Sequence, residues 1–96
     1  MKHYLAVLVP QAGGGWRAHF PDFPGCGGVG SSVEAALLVS RAAATKAAHA
    51  QQAEGHLLPS PISYEELRQH TNRWAQERKI DWSTAVVSLV PLHMQE

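Results

Sequence analysis

From Tyr4 to Val9 every side chain is apolar, and Pro10 followed by Gly13, Gly14 and Gly15 closes the run. A short apolar stretch bounded by turn residues predicts a strand entering a hairpin, with Trp16 to Phe20 as the return strand. Pairing Val9 with Trp16, Val7 with Ala18 and Leu5 with Phe20 gathers six apolar side chains on one face. The other face then carries Tyr4, Ala6 and Leu8 beside Arg17 and His19. Two prolines and a glycine cluster interrupt the pattern next, leaving room for a short strand at Gly27 to Val29. Ser31 and Glu34 have capping-box spacing, and Val33, Leu37, Ser40, Ala44 and Ala47 follow at helical period until Gly55 supplies a stop. Leu57 to Pro61 is a proline-containing connector.

Ser63 and Glu66 repeat the capping-box spacing before a second helix whose apolar face is Tyr64, Leu67, Thr71, Trp74 and Ala75. Glu65 and Glu66 open this helix and Arg78 and Lys79 close it, the order that a helix dipole favours. Ala85 to Val90 reads as a last strand, apolar on both faces apart from Ser88, with Pro91 ending it. The pattern therefore predicts an α+β domain: a small three- to four-stranded, mostly antiparallel sheet with two helices, in the order β-β-(β)-α-α-β. If both helices cover the Leu5, Val7 and Val9 face, then Tyr4, Ala6 and Leu8 are left bare with alternate residues of the last strand. That reasoning predicts a homo-oligomer or partner interface on this face, rimmed by Arg17 and His19.

Composition narrows the function. The 96 residues suit one domain, 1–96. Lys plus Arg number 8 and so do Asp plus Glu, so the charge excess that a nucleic-acid backbone demands is missing. Hydrophobic residues make up 45% and charged ones 17%, a balance that favours a folded chain. The lone Cys26 fits a reducing compartment, and no apolar run has the length of a membrane helix or the pattern of a signal peptide. A cytoplasmic protein without membrane attachment is expected.

Gly25-Cys26-Gly27-Gly28-Val29-Gly30 has dinucleotide-fingerprint spacing, but prolines precede it where a strand is needed, no ribose-binding acid follows, and Ser31 stands where a P-loop needs Lys. A tight structural turn is the simpler reading. The six histidines, His3, His19, His49, His56, His70 and His93, lack metal-ligand spacing, although paired strands could bring His3 near His19. Cys26 has no neighbouring base to activate it. Asp22 and Asp81 are the acids left after caps and helix surface are assigned, too few for a metal-dependent nuclease. No catalytic residue, cofactor or metal site is predicted. An RNA-binding module or a small ligand-binding protein stands as the alternative to a protein-binding role.

The segment His19-Phe20-Pro21-Asp22-Phe23-Pro24-Gly25-Cys26, followed by Gly30-Ser31 and Glu34-Ala35-Ala36, resembles the signature of the HicB-type antitoxin family. The Tyr4-Leu5-Ala6-Val7 strand, Gly15-Trp16, Leu58-Pro59-Ser60-Pro61, Tyr64-Glu65-Glu66-Leu67 and the Val86 to Pro91 strand fall in the family's order. Ser31 stands where many members have Asp, and either residue can cap. The resemblance implies a truncated, inactive ribonuclease-H-like fold and a non-catalytic role: binding and neutralising a HicA-type toxin, a small mRNA-cleaving protein that uses a histidine. A solitary relative would act through protein binding alone. Many members append a DNA-binding module after this domain, and none is seen before Glu96, so direct DNA binding is not implied for this chain. Phe20, Pro21, Asp22, Phe23, Pro24 and Gly25 are the family-motif residues and candidate partner contacts. They also have a plain structural reading, with both Phe rings entering the core, Asp22 capping the turn and Gly25 at positive φ.

Overall fold

The computed structural model describes residues 2–69 and 72–92. In order, its elements are β1 (Lys2–Pro10), β2 (Trp16–His19), β3 (Gly27–Gly30), α1 (Val33–Ala53), α2 (Tyr64–Arg68), α3 (Arg73–Arg78) and β4 (Val86–Leu92). The strands form one sheet in the order β3-β2-β1-β4, and every neighbouring pair is antiparallel. The α+β class and the element order are those expected from the pattern, with the short third strand present.

The hairpin register differs from the expectation by one residue, and the difference reverses the sheet. Pro10 pairs with Trp16 and Leu8 with Ala18, because β1 runs through Pro10 and a five-residue loop closes with the Gln11 N–H donating to the Gly15 carbonyl at 3.0 Å. A one-residue slip moves every side chain to the opposite face. Tyr4, Ala6 and Leu8 therefore share a buried cluster with Ala18, Phe20, Val90 and Leu92 beneath Ala36, Ala44 and Ala48 of α1. Leu5 and Val7 lie on the reverse side with Leu67 of α2, joined by the partly buried Ile62, Trp74, Ile80 and Trp82. The helices do not share one face. The sheet is a middle layer, with α1 on one side and α2, α3 and their flanking loops on the other.

The first helix is seated on glycine. A Cβ at Gly30 would lie 2.5 Å from the Ala36 nitrogen, and one at Gly28 would lie 2.9 Å from the Ser40 nitrogen. Gly28 and Gly30 thus form the surface of β3 against which α1 packs, and the alanines of the helix allow the approach. The N-cap is Ser32 rather than Ser31: the Ser32 hydroxyl accepts from the Ala35 N–H at 3.1 Å. Pairing of β3 holds the chain extended through Gly30, so the helix begins one residue later than the Ser31–Glu34 spacing suggests. At the other end the Gly55 N–H donates to the Gln52 carbonyl and the His56 N–H to the Gln51 carbonyl, the paired bonds of a Schellman stop.

The expected single second helix is two short ones. Ser63 caps α2 as predicted, accepting from the Glu66 N–H at 3.1 Å. Asn72 divides the segment, its amide donating to the Glu66 carbonyl at 3.2 Å while its side-chain oxygen caps α3 by accepting from the Ala75 N–H at 3.0 Å. An Asn able to make both bonds competes with a continuous helix. Thr71, placed on the predicted apolar face, lies outside the described residues, as do His70, His93 and Glu96. Pro91 does not end the last strand but lies within it, which an edge position permits.

Candidate functional site

The Phe20 to Gly25 segment leaves the end of β2 and folds back as two tight turns, the Phe23 N–H donating to the Phe20 carbonyl and the Cys26 N–H to the Phe23 carbonyl, each at 3.0 Å. Phe20 and Phe23 are almost wholly buried. The Phe23 ring meets Tyr4 edge-on, with centroids 4.8 Å apart. Gly25 has φ +87°, the positive value expected. Asp22 does not serve its own turn: its carboxylate accepts from the Ile62 N–H, 40 residues away, at 3.0 Å. The Tyr4 hydroxyl donates to the Pro59 carbonyl at 2.8 Å. These two bonds clasp the connector after α1 to the sheet, so that Ile62 and Leu67 reach the Leu5 and Val7 face. Pro24 alone among the motif's apolar side chains is exposed, while Pro21 is half-buried.

Burial raises the Asp22 carboxyl pKa first; the bond from Ile62 opposes this and nearby Glu66 adds to it. A raised folded-state pKa means that stability contributed by this group is fullest at low pH and declines as pH rises through that value. Asp22→Ala strands the Ile62 N–H and is expected to cost about 1 to 2 kcal/mol. Asp22→Asn keeps an acceptor and removes the ionisation penalty, so at pH 7 its melting temperature should equal or exceed that of the unmodified protein. Thermal melts of both variants check this ordering.

The face grouped as Tyr4, Ala6, Leu8, Arg17 and His19 is divided by the observed register. Tyr4, Ala6 and Leu8 have no exposed surface and lie beneath α1, so they offer nothing to a partner. Arg17 and His19 lie on the opposite face, across β1 from Val9 and Val7. His19 meets Trp74 edge-on at 5.9 Å, and the Arg78 guanidinium lies 4.8 Å over the same indole. Burial, then the charges of Arg78 and Arg17, hold the His19 pKa below the usual histidine value. Between that lowered value and the unfolded one of about 6.5, the unfolded chain binds the proton preferentially, so stability falls as pH drops through this window. His19→Phe keeps the aromatic contact with Trp74 and should flatten this acid-side loss in urea titrations at pH 5 and pH 7.

The pattern did not foresee the aromatic and arginine layer on this face. Arg68 lies 4.7 Å over Trp82 and 5.6 Å over Tyr64, repeating the arrangement of Arg78 on Trp74. The pairs Tyr64 with Arg68 and Trp74 with Arg78, each at four-residue spacing, were the available signal. Elsewhere, His3 pairs with Pro91, far along β1 from the position opposite His19, so the strands do not join the two histidines. Among the described residues no three His, Cys, Asp or Glu side chains gather as metal ligands. The Cys26 thiol points to the Ala43 carbonyl at 3.8 Å, and burial raises its pKa, the behaviour of a packing residue rather than a nucleophile. The Asp81 carboxylate is engaged by the backbone and hydroxyl of Ser83 at 3.0 and 2.6 Å. No helix among the described residues is long and apolar enough to cross a membrane.

No family model and no curated protein matches the chain. Solved structures do. The N-terminal domain of the Burkholderia pseudomallei antitoxin HicB superposes with a TM-score of 0.75 at 18% identity, covering 96% of this chain and 99% of that domain. A longer structure of the same antitoxin gives 0.71 at 19% identity, and this chain spans 64% of its length. The antitoxin HicB3 gives 0.63 at 20% identity, with 62% of its length spanned. A chain of the HicA3 and HicB3 toxin-antitoxin complex gives 0.60 at 21% identity, covering 96% of this chain and 99% of that one. From Lys2 to Leu92, the chain has the HicB-like antitoxin fold, that of the HicB N-terminal domain.

Proposed function

We propose that this chain is a non-catalytic antitoxin of the HicB kind that acts in the cytoplasm by binding and silencing a HicA-type mRNA-cleaving toxin. The observation that carries this reading is the agreement of the whole domain with the HicB N-terminal domain, 96% of one chain against 99% of the other. The HicA3 and HicB3 complex supplies the class of partner. The side-chain bonding supports the same reading: the Asp22 carboxylate holds the Ile62 N–H, Ser32 and Ser63 cap helices, and Asp81 is bonded by Ser83 within one exposed turn. The test is titration of the protein into an mRNA-cleavage reaction run by a HicA-type toxin from the same source. Stoichiometric arrest of cleavage, with no cleavage by this protein alone in Mg²⁺ or Mn²⁺, is the expected result. Undiminished cleavage with the protein in excess would overturn the reading.

A further inference from the structure

We propose that the cleft between the end of β1 and the loop after α3 is a binding site for a small phosphate monoester, held by His19, Arg78 and Lys79 with Arg17 at its rim. β4 begins at Val86, opposite Leu8, so Val9 and Pro10 run on past it and pair with β2 alone. The chain that follows α3 closes over the space this leaves. The result is a cleft of about 290 Å³, lined by Val9 and His19 from the sheet and by Arg78, Lys79 and Asp81 from the end of α3 and its loop. Arg17 lies directly across from Val9, on the face that the cleft occupies.

The cleft gathers positive charge that the fold does not neutralise. Among the described residues, none of Arg17, Arg78 and Lys79 forms an ion pair. Asp81 is the carboxylate on the cleft wall, and the backbone and hydroxyl of Ser83 already bond it. One indole orients two of the groups offered to the phosphate: Trp74 receives the His19 ring edge-on and the Arg78 guanidinium over its face, and the Arg78 Nη1 also donates to the Trp74 carbonyl at 3.5 Å. A guanidinium stacked in this way keeps its remaining N–H edge for an oxyanion. His19 registers the field, since the charges of Arg78 and Arg17 add to burial in lowering its pKa.

Lys79 gives a second, independent observation. α1 and α3 end with the same pair of backbone bonds, the Gly55 N–H to Gln52 and the His56 N–H to Gln51 in one, the Lys79 N–H to Gln76 and the Ile80 N–H to Ala75 in the other. This closure needs a left-handed residue, and glycine supplies it in α1 at φ +81°. In α3 the position is a lysine at φ +50°, and among the described residues no other non-glycine residue has positive φ. A lysine there strains the backbone where a glycine would not. What it adds is an ammonium at the mouth of the cleft. The positive charge does not extend into a track: Glu65 and Glu66 of α2 and Glu77 of α3 are exposed on the helices of the same face, and the chain has a formal net charge of +0. A nucleic-acid backbone needs a run of cationic contacts, whereas a small monoester needs one cluster.

Inorganic phosphate and adenosine 5′-monophosphate, titrated at constant ionic strength into the isotope-labelled chain, should move the NMR signals of His19, Arg78, Lys79 and Asp81, with a dissociation constant on the order of 1 mM or below. Adenosine should move none of them. The His19 pKa should rise in the complex, because the bound anion offsets Arg17 and Arg78. Lys79→Gly should raise the melting temperature by relieving the backbone, yet weaken phosphate binding by about tenfold or more. Lys46→Gln removes the same charge from α1, on the other side of the sheet, and should leave binding unchanged. Lys79→Gly that binds phosphate as tightly as the parent would overturn the proposal, as would the lack of localised shifts with either phosphate ligand. An oligoribonucleotide without a terminal phosphate that displaces adenosine 5′-monophosphate would also overturn it, assigning the cleft to a nucleic-acid backbone.

Discussion

Leu8→Glu is expected to unfold the chain, not to dissociate an assembly of folded subunits. Leu8 has no exposed surface and sits opposite Ala18 on one side and Val86 on the other, in the cluster covered by α1. An uncompensated buried carboxylate costs about 3 to 5 kcal/mol, and loss of the leucine packing adds about 2 to 4 more. The sum is comparable to the whole stability of a domain of this size, about 5 to 15 kcal/mol. Far-UV circular dichroism should therefore show the α1 signal lost at 25 °C. Retention of native helicity in a soluble Leu8→Glu protein would contradict the register on which the fold is described.

Gly30→Val is expected to be nearly as damaging, for a different reason. The added Cβ would stand 2.5 Å from the Ala36 nitrogen and 2.7 Å from the Ala35 carbonyl carbon. These are backbone atoms, which cannot rotate out of the way as a flexible side chain can. The helix must lift from β3, loosening the contacts of Ala36, Ser40 and Ala44 together, at a cost of about 3 kcal/mol or more. Gly25→Val is the informative comparison. A Cβ at Gly25 meets nothing within 4 Å, so its cost, about 1 to 3 kcal/mol, comes from φ +87° alone. Urea denaturation of the two variants should place Gly30→Val below Gly25→Val.

The Phe20 to Gly25 motif was legible as a motif, and the burial of its two Phe rings and the positive φ of Gly25 followed from residue type. Its task was not legible. Asp22 reads as a local turn cap, yet it holds the Ile62 backbone, a bond across 40 residues that no local spacing announces. The motif acts as a clasp because the connector passes beside it in space, and only the folded chain brings them together.

What the sequence determined by itself was local: the α+β order of elements, the Ser63 cap and the Gly55 stop. Each depends on groups within a few residues of one another, where side-chain chemistry and helical period decide the outcome. The tertiary structure decided the register of the hairpin, the side of the sheet on which each helix lies, and the division of the second helix at Asn72. From Tyr4 to Val9 every residue is apolar, so the strand carries no period-two signal to say which face is which. Such a strand can satisfy either register until something covers both faces. The close seat of α1 on Gly28 and Gly30 and the clasp that brings Leu67 to the reverse side fill that role, and neither exists before the chain has folded.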